Sequence, residues 1–100
     1  MNRLDFERPV NLEIERNEAK KKGNLRGAKV FNDWAHSWCF DGYSDIMSEI
    51  KRLNSNNPTR AELEQRAQAY VKVMEEYQEY GIELVECIIA NQQDKKGESQ

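Results

Sequence analysis

The chain is poor in the residues that usually announce a function. Its 100 residues include two cysteines, one histidine, two prolines and five glycines. Cys39 and Cys87 make no disulfide framework. Neither Cys-x-x-Cys nor His-Glu-x-x-His occurs, so the usual zinc spacings are missing. Gly23 and Gly27 stand apart, with no Gly-Lys-Ser/Thr after them, which removes a phosphate-binding loop. Asp41-Gly42-Tyr43-Ser44-Asp45 lacks the ligand order of a calcium loop. No run approaches the roughly 18 apolar residues of a membrane span. The opening MNRLDFERPV holds no apolar segment of the secretory kind. These absences lead us to expect a reduced, cytoplasmic setting, with no cofactor, no metal and no membrane partner.

Large aliphatic residues are also scarce. Leu, Ile, Val and Phe total 20, at the margin where disorder begins, but disorder also requires high net charge. The net charge is only −3, and aromatics make up 9% of the chain. A folded, charge-rich helical domain is the better reading. Charge is unevenly placed: residues 1–30 carry eight Lys/Arg against five Asp/Glu, and residues 31–100 carry seven against thirteen. The two ends therefore suit different partners, or one another in a second copy.

What the chain does have is one long periodic stretch, Thr59 to Asn91. Leu63, Ala67, Tyr70, Met74, Tyr77, Gly81, Leu84 and Ile88 recur at alternating steps of four and three, which is one face of a helix. Val71, Val73, Tyr80, Val85 and Cys87 widen the stripe beyond a zipper seam, so several neighbours are expected against it. Thr59 and Glu62 have the spacing of a capping box. Gly81 is the position where this helix would break or kink. The heptad phase survives it, which favours continuity.

Ahead of this stretch, Pro9 suits a first helical turn, Lys20 to Lys22 suit a last one, and Gly23 suits a stop. Val10 to Ile14 alternates like a strand, yet these flanking signals favour helix. Asn24 can cap a helix over 25–40 carrying Ala28, Phe31, Trp34, Ala35 and Trp38 on one side. Asp41-Gly42 reads as a turn, with a third helix over 44–54. The expectation is an all-α bundle of about four helices, 9–22, 25–40, 44–54 and 59–91. An arm would precede it over 1–8, where Leu4 and Phe6 tuck against the core, and a flexible tail would follow over 92–100. The expected core joins Phe31, Trp34, Trp38, Ile46, Ile50 and Leu53 to Tyr70, Met74, Tyr77, Leu84 and Ile88. Ala67 and Gly81 are small enough to admit a bulky neighbour such as a tryptophan.

Three constellations bear on function. Asp33, His36 and Cys39 recur at intervals of three and supply a carboxylate, an imidazole and a thiol, the parts of an activated nucleophile. A reactive thiol needs solvent and a lowered pKa. Cys39 lies between Trp38 and Phe40, so it reads as a core cysteine, and we assign no catalytic residue. Lys20, Lys21, Lys22, Arg26 and Lys29 form a basic segment able to contact phosphate, but the chain pI of 5.2 opposes a nucleic-acid binder. Glu75, Glu76, Glu79, Glu83 and Glu86 lie three and four apart on the polar side of the long helix. Each such like-charge pair opposes the helix by about 0.2–0.5 kcal/mol.

That strip is either a solvated face or a docking surface for a basic partner. The leading reading is a non-enzymatic interaction module, a small adaptor, regulator or inhibitor of a larger macromolecule such as a nucleic-acid-processing complex. The alternatives are a nucleic-acid-associated protein using the basic segment and a structural helical homodimer. An enzyme ranks below these.

Overall fold

The computed structural model describes the backbone of residues 4–98 and the side chains of residues 4–92. Among the described residues there are three helices and no strand: α1 (Val10–Lys21), α2 (Leu25–Arg52) and α3 (Pro58–Glu98). The all-α expectation holds, but three helices replace about four, because 25–40 and 44–54 are one element. The Asp41-Gly42 turn signal fails for a packing reason. The residues α2 buries are Ala28, Asn32, Ala35, Cys39, Gly42, Ile46 and Ile50, a run of four- and three-residue steps. Gly42 falls on that seam, so burial of the whole face outweighs the cost of about 1 kcal/mol for glycine inside a helix.

The stretch Val10 to Ile14 is helical, not extended. Its helix closes in a Schellman arrangement. The Asn24 amide donates to the Ala19 carbonyl at 2.8 Å, and the Gly23 amide donates to the Lys20 carbonyl at 3.0 Å. Gly23 holds φ +83°, a conformation glycine adopts without a Cβ clash. Asn24 then caps α2, its side-chain oxygen accepting from the Gly27 amide at 2.9 Å. At the start of α3 the expected capping box gives way to another device. The Asn57 side chain accepts from the Thr59 amide at 2.9 Å, with Pro58 in the first helical position, where its missing N–H is not needed.

α3 runs unbroken through Gly81 and continues to Glu98, past the expected end at 91. Of the expected 92–100 tail, the backbone is helical as far as Glu98, and Ser99 and Gln100 lie outside the described residues. At 1.5 Å per residue this helix is about 61 Å long. The molecule is accordingly a rod of 67 × 20 × 16 Å, with a radius of gyration of 17.9 Å against about 13 Å for a compact chain of this size.

α2 packs on both α1 and α3. The core is a small-against-large match. From α2 come Ala28, Ala35 and Cys39, with Ile46 and Ile50 toward its C-terminal end, both in the core as expected; α3 contributes Leu63, Ala67, Tyr70, Val73, Tyr77 and Leu84. Small residues on α2 leave room for the buried tyrosines of α3. The α3 seam is the one its spacing predicted. The α2 face is rotated from the expected one: Trp34 is 55% exposed, and Phe31 and Trp38 are only partly buried. Cys87 is exposed rather than buried. The N-terminal arm lies along α3. Phe6 meets the Tyr70 ring edge-on at 4.9 Å, the Tyr70 hydroxyl donates to the Asp5 carbonyl at 2.8 Å, and Leu4 packs on the core.

Candidate functional site

Two flanks of α3 face different surroundings. Successive residues on a helix turn by about 100°, so Tyr80 and Ile82 point about 160° apart. The Tyr80 flank looks toward α1. The Ile82 flank looks into a groove between α2 and α3 that α1 does not cover.

On the α1 flank the contacts are polar. Arg16 lays its guanidinium 3.9 Å from the Tyr80 ring centroid and donates to the Asn32 side-chain oxygen at 3.1 Å. Asn32 is buried at 2% exposure, and its amide donates to the Tyr77 carbonyl at 2.8 Å. One asparagine therefore ties all three helices. Gly81 makes the approach feasible: a Cβ there would stand 3.2 Å from the Asn32 nitrogen. The neighbour that Gly81 admits is this asparagine, not a tryptophan.

Beside this node the Tyr77 hydroxyl donates to Glu13 at 2.8 Å, and Arg8 bridges Glu13 at 2.7 Å and Glu76 at 3.0 Å. Burial pushes the Glu13 carboxyl up, but hydrogen bonds from Arg8 and Tyr77 outweigh it and hold the pKa below the ordinary glutamate value. Burial and the adjacent Glu13 charge both push the Tyr77 phenol well up. Arg8, hydrogen-bonded to Glu13, is held still more firmly protonated than usual.

On the other flank lies a groove of about 550 Å³. Asn32 and Gly81 lie at its base, Ile82 and Val85 line its α3 side, and His36 and the Lys29–Asp33 pair line its α2 side. The Lys29 ammonium sits 2.6 Å from Asp33, and His36 and Gln78 approach across the groove at 3.4 Å. Ile82, Val85 and Ile89 are all exposed, in steps of three and four along α3.

The expected acidic residues all lie on exposed α3 surface. Glu76 is drawn toward Arg8. Among the described residues, no cation stands within ion-pair distance of Glu75, Glu79, Glu83 or Glu86. Glu86 also lines the groove. The basic segment is divided, with Lys20 and Lys21 beside Tyr80 and Lys29 in the groove. Lys20 stands 5.1 Å from the Tyr80 ring on the α1 flank, Lys29 lies in the groove beside Asp33, and Lys21, Lys22 and Arg26 are exposed.

The Asp33, His36 and Cys39 series is divided by burial. Cys39 is 0% exposed, whereas Asp33 is exposed and salt-bridged. Among the described residues no three His, Cys, Asp or Glu side chains converge as metal ligands, and no helix is long and apolar enough to cross a membrane.

The groove and the Asn32 node were missed in sequence. A signal existed, since Asn32 interrupts the small apolar series Ala28, Ala35, Cys39 at the seam spacing. Comparison of the chain with protein-family models, with curated proteins and with solved structures gives no match.

Proposed function

We propose that the chain is a non-enzymatic protein-interaction module, a small helical adaptor, regulator or inhibitor that binds a larger partner through the acidic side of α3. The observation that carries this reading is the row of Glu75, Glu79, Glu83 and Glu86, exposed carboxylates with no cation in ion-pair range among the described residues. Like charges three and four apart work against the helix. A basic partner surface turns that repulsion into attraction and speeds encounter. The long rod supports the same reading, because it offers an extended face rather than an enclosed pocket.

The basic segment gives a nucleic-acid reading less support. Its lysines face different flanks, and Lys29 is already matched by Asp33. The test is a triple reversal, Glu79→Lys, Glu83→Lys and Glu86→Lys, with Glu76 left in place because it holds Arg8. Affinity capture from the native host should lose its specific partner with the triple variant. Capture at unchanged affinity would remove the acidic strip from the account.

A further inference from the structure

We infer that the groove between α2 and α3 is a docking site for a basic amphipathic helix. This inference rests on the interaction-module reading and names its occupant. Three observations select that occupant.

The first is shape. Ile82 and Val85 line one wall, and Ile89 continues their stripe past it, at i, i+3 and i+7 along α3. Phe40 is 53% exposed, one turn beyond His36 on the same flank of α2. The stretch from Gln78 to Ile89 spans about 16 Å, three helical turns. Side chains from one face of a partner helix interdigitate with such a stripe, ridge into groove.

The second is hydrogen bonding. Both walls are α-helices whose backbone groups are already engaged, so an extended peptide finds no strand edge among the described residues. A helix arrives with its own backbone satisfied.

The third is charge. The groove's one lysine, Lys29, is matched by Asp33 at 2.6 Å. The α3 rim then carries a negative surplus. Glu75 and Glu79 stand three positions before Gln78 and Ile82, and Glu86 stands four after Ile82 and three before Ile89. Lysine or arginine beside the apolar face of a partner helix meets this row, while a helix with acidic flanks is repelled.

The probe is a fluorescein-labelled 18-residue helical peptide with leucines on one face and lysines on either side. One control keeps its composition but spreads the leucines around the helix. A second replaces lysine by glutamate. We expect saturable binding of the first peptide to the full chain, at least tenfold tighter than either control. The double variant Ile82→Gln/Val85→Gln should weaken it at least tenfold, as should Glu79→Lys/Glu86→Lys, with helical circular dichroism unchanged. Trp34→Gln, on a different face of α2, should leave it unchanged. Amide shift changes should cluster at His36, Gln78, Ile82 and Val85.

Equal binding of both lysine peptides would overturn the groove as a specific site while leaving the acidic-strip reading standing. No binding of either lysine peptide would remove both. Shift changes centred on Trp34 and Val30 would overturn the groove in favour of the other face. Self-association of the chain alone, abolished by Ile82→Gln/Val85→Gln, would overturn it in favour of a second copy.

Discussion

The two flanks of α3 are finished in opposite ways. The flank that α1 covers is held by charge and hydrogen bonds: Arg16 on Asn32 and Tyr80, Tyr77 on Glu13, Arg8 on Glu13 and Glu76. The flank that stays open carries Ile82, Val85 and Ile89. Apolar burial alone would produce the reverse arrangement, because it rewards covering the apolar side first. α1 itself buries no residue, and it turns Val10 and Ile14 outward at 52% exposure each. Leu12 packs on the core, but the contacts that tie α1 to α3 are polar. Polar contacts fix where α1 sits, since each donor requires its acceptor at hydrogen-bond range. The apolar flank remains exposed.

The comparison breaks most visibly at Asn32. Asn32→Ala removes the partner of a half-buried guanidinium and the side-chain bond to the Tyr77 carbonyl. That carbonyl keeps its own helical bond, so Arg16 bears most of the loss. The expected cost is about 2–3 kcal/mol, read as a lower urea midpoint, with Tm falling by ~10–20 °C. Pairing Asn32→Leu with Arg16→Met should cost less than Asn32→Leu alone, because no buried donor is then left unmatched. An Asn32→Ala midpoint equal to that of the parent chain would show that the polar node does not hold the helices together.

Tyr77→Phe comes next. It keeps the ring in the core and removes only the hydroxyl donated to Glu13. The expected loss is about 1.5 kcal/mol, as for a hydrogen bond to a charged group. Urea unfolding of the variant at neutral pH measures it.

The same node gives stability a pH signature with two limbs. Glu13 has a lowered folded pKa, so its contribution is complete above the unfolded value of about 4.5 and is lost as pH falls through the folded value. Tyr77 has a raised folded pKa, so its contribution is complete below the unfolded value of about 10 and is lost as pH rises through the folded value. The acid limb should amount to less than ~1 kcal/mol, since solvent reaches Arg8 and screens the pair. Thermal unfolding from pH 6 down to pH 3 should show a shallower fall in Tyr77→Phe, where Glu13 has lost one of its two hydrogen bonds. Parallel curves would mean that Tyr77 and Glu13 are not coupled.

How legible this architecture was differs from helix to helix. The α3 seam could be read at once, because large residues recur at strict spacing and Gly81 does not shift the phase. The α2 face was legible in part: Ala28, Ala35, Ile46 and Ile50 are buried as their spacing suggested, but Trp34 is not. Its tryptophans and phenylalanines draw attention to one edge of that face, while the buried line runs through Ala28, Asn32, Ala35, Cys39 and Gly42. Small residues carry little hydrophobic signal, yet they are what allows tyrosines on the facing helix to enter the interior. The same bias made Asp41-Gly42 look like a turn. The acidic row was legible as charge, but its division was not. Arg8 is 68 positions from Glu76, and only folding brings the two together. The open groove was invisible for a related reason: periodicity shows which residues are apolar, not which of them a neighbouring helix leaves uncovered.

The smallest expected effect is the sharpest test of the open flank. Ile82 is 60% exposed in the folded chain, so replacing it by glutamine removes little apolar burial. Glutamine and isoleucine also differ little in helix propensity. Ile82→Gln should therefore change the unfolding free energy by no more than ~0.5 kcal/mol, as for a surface substitution away from any buried feature. Leu84, two residues on, is 1% exposed, and Leu84→Ala should cost about 2–5 kcal/mol through lost burial and the cavity left behind. Urea denaturation of both variants gives the contrast directly. A large loss in Ile82→Gln would mean that the free chain already covers this flank in solution, by its own folding or by pairing with a second copy. Near-neutral stability would show that Ile82 has no part in holding the fold together, which leaves its side chain free for the contact proposed above.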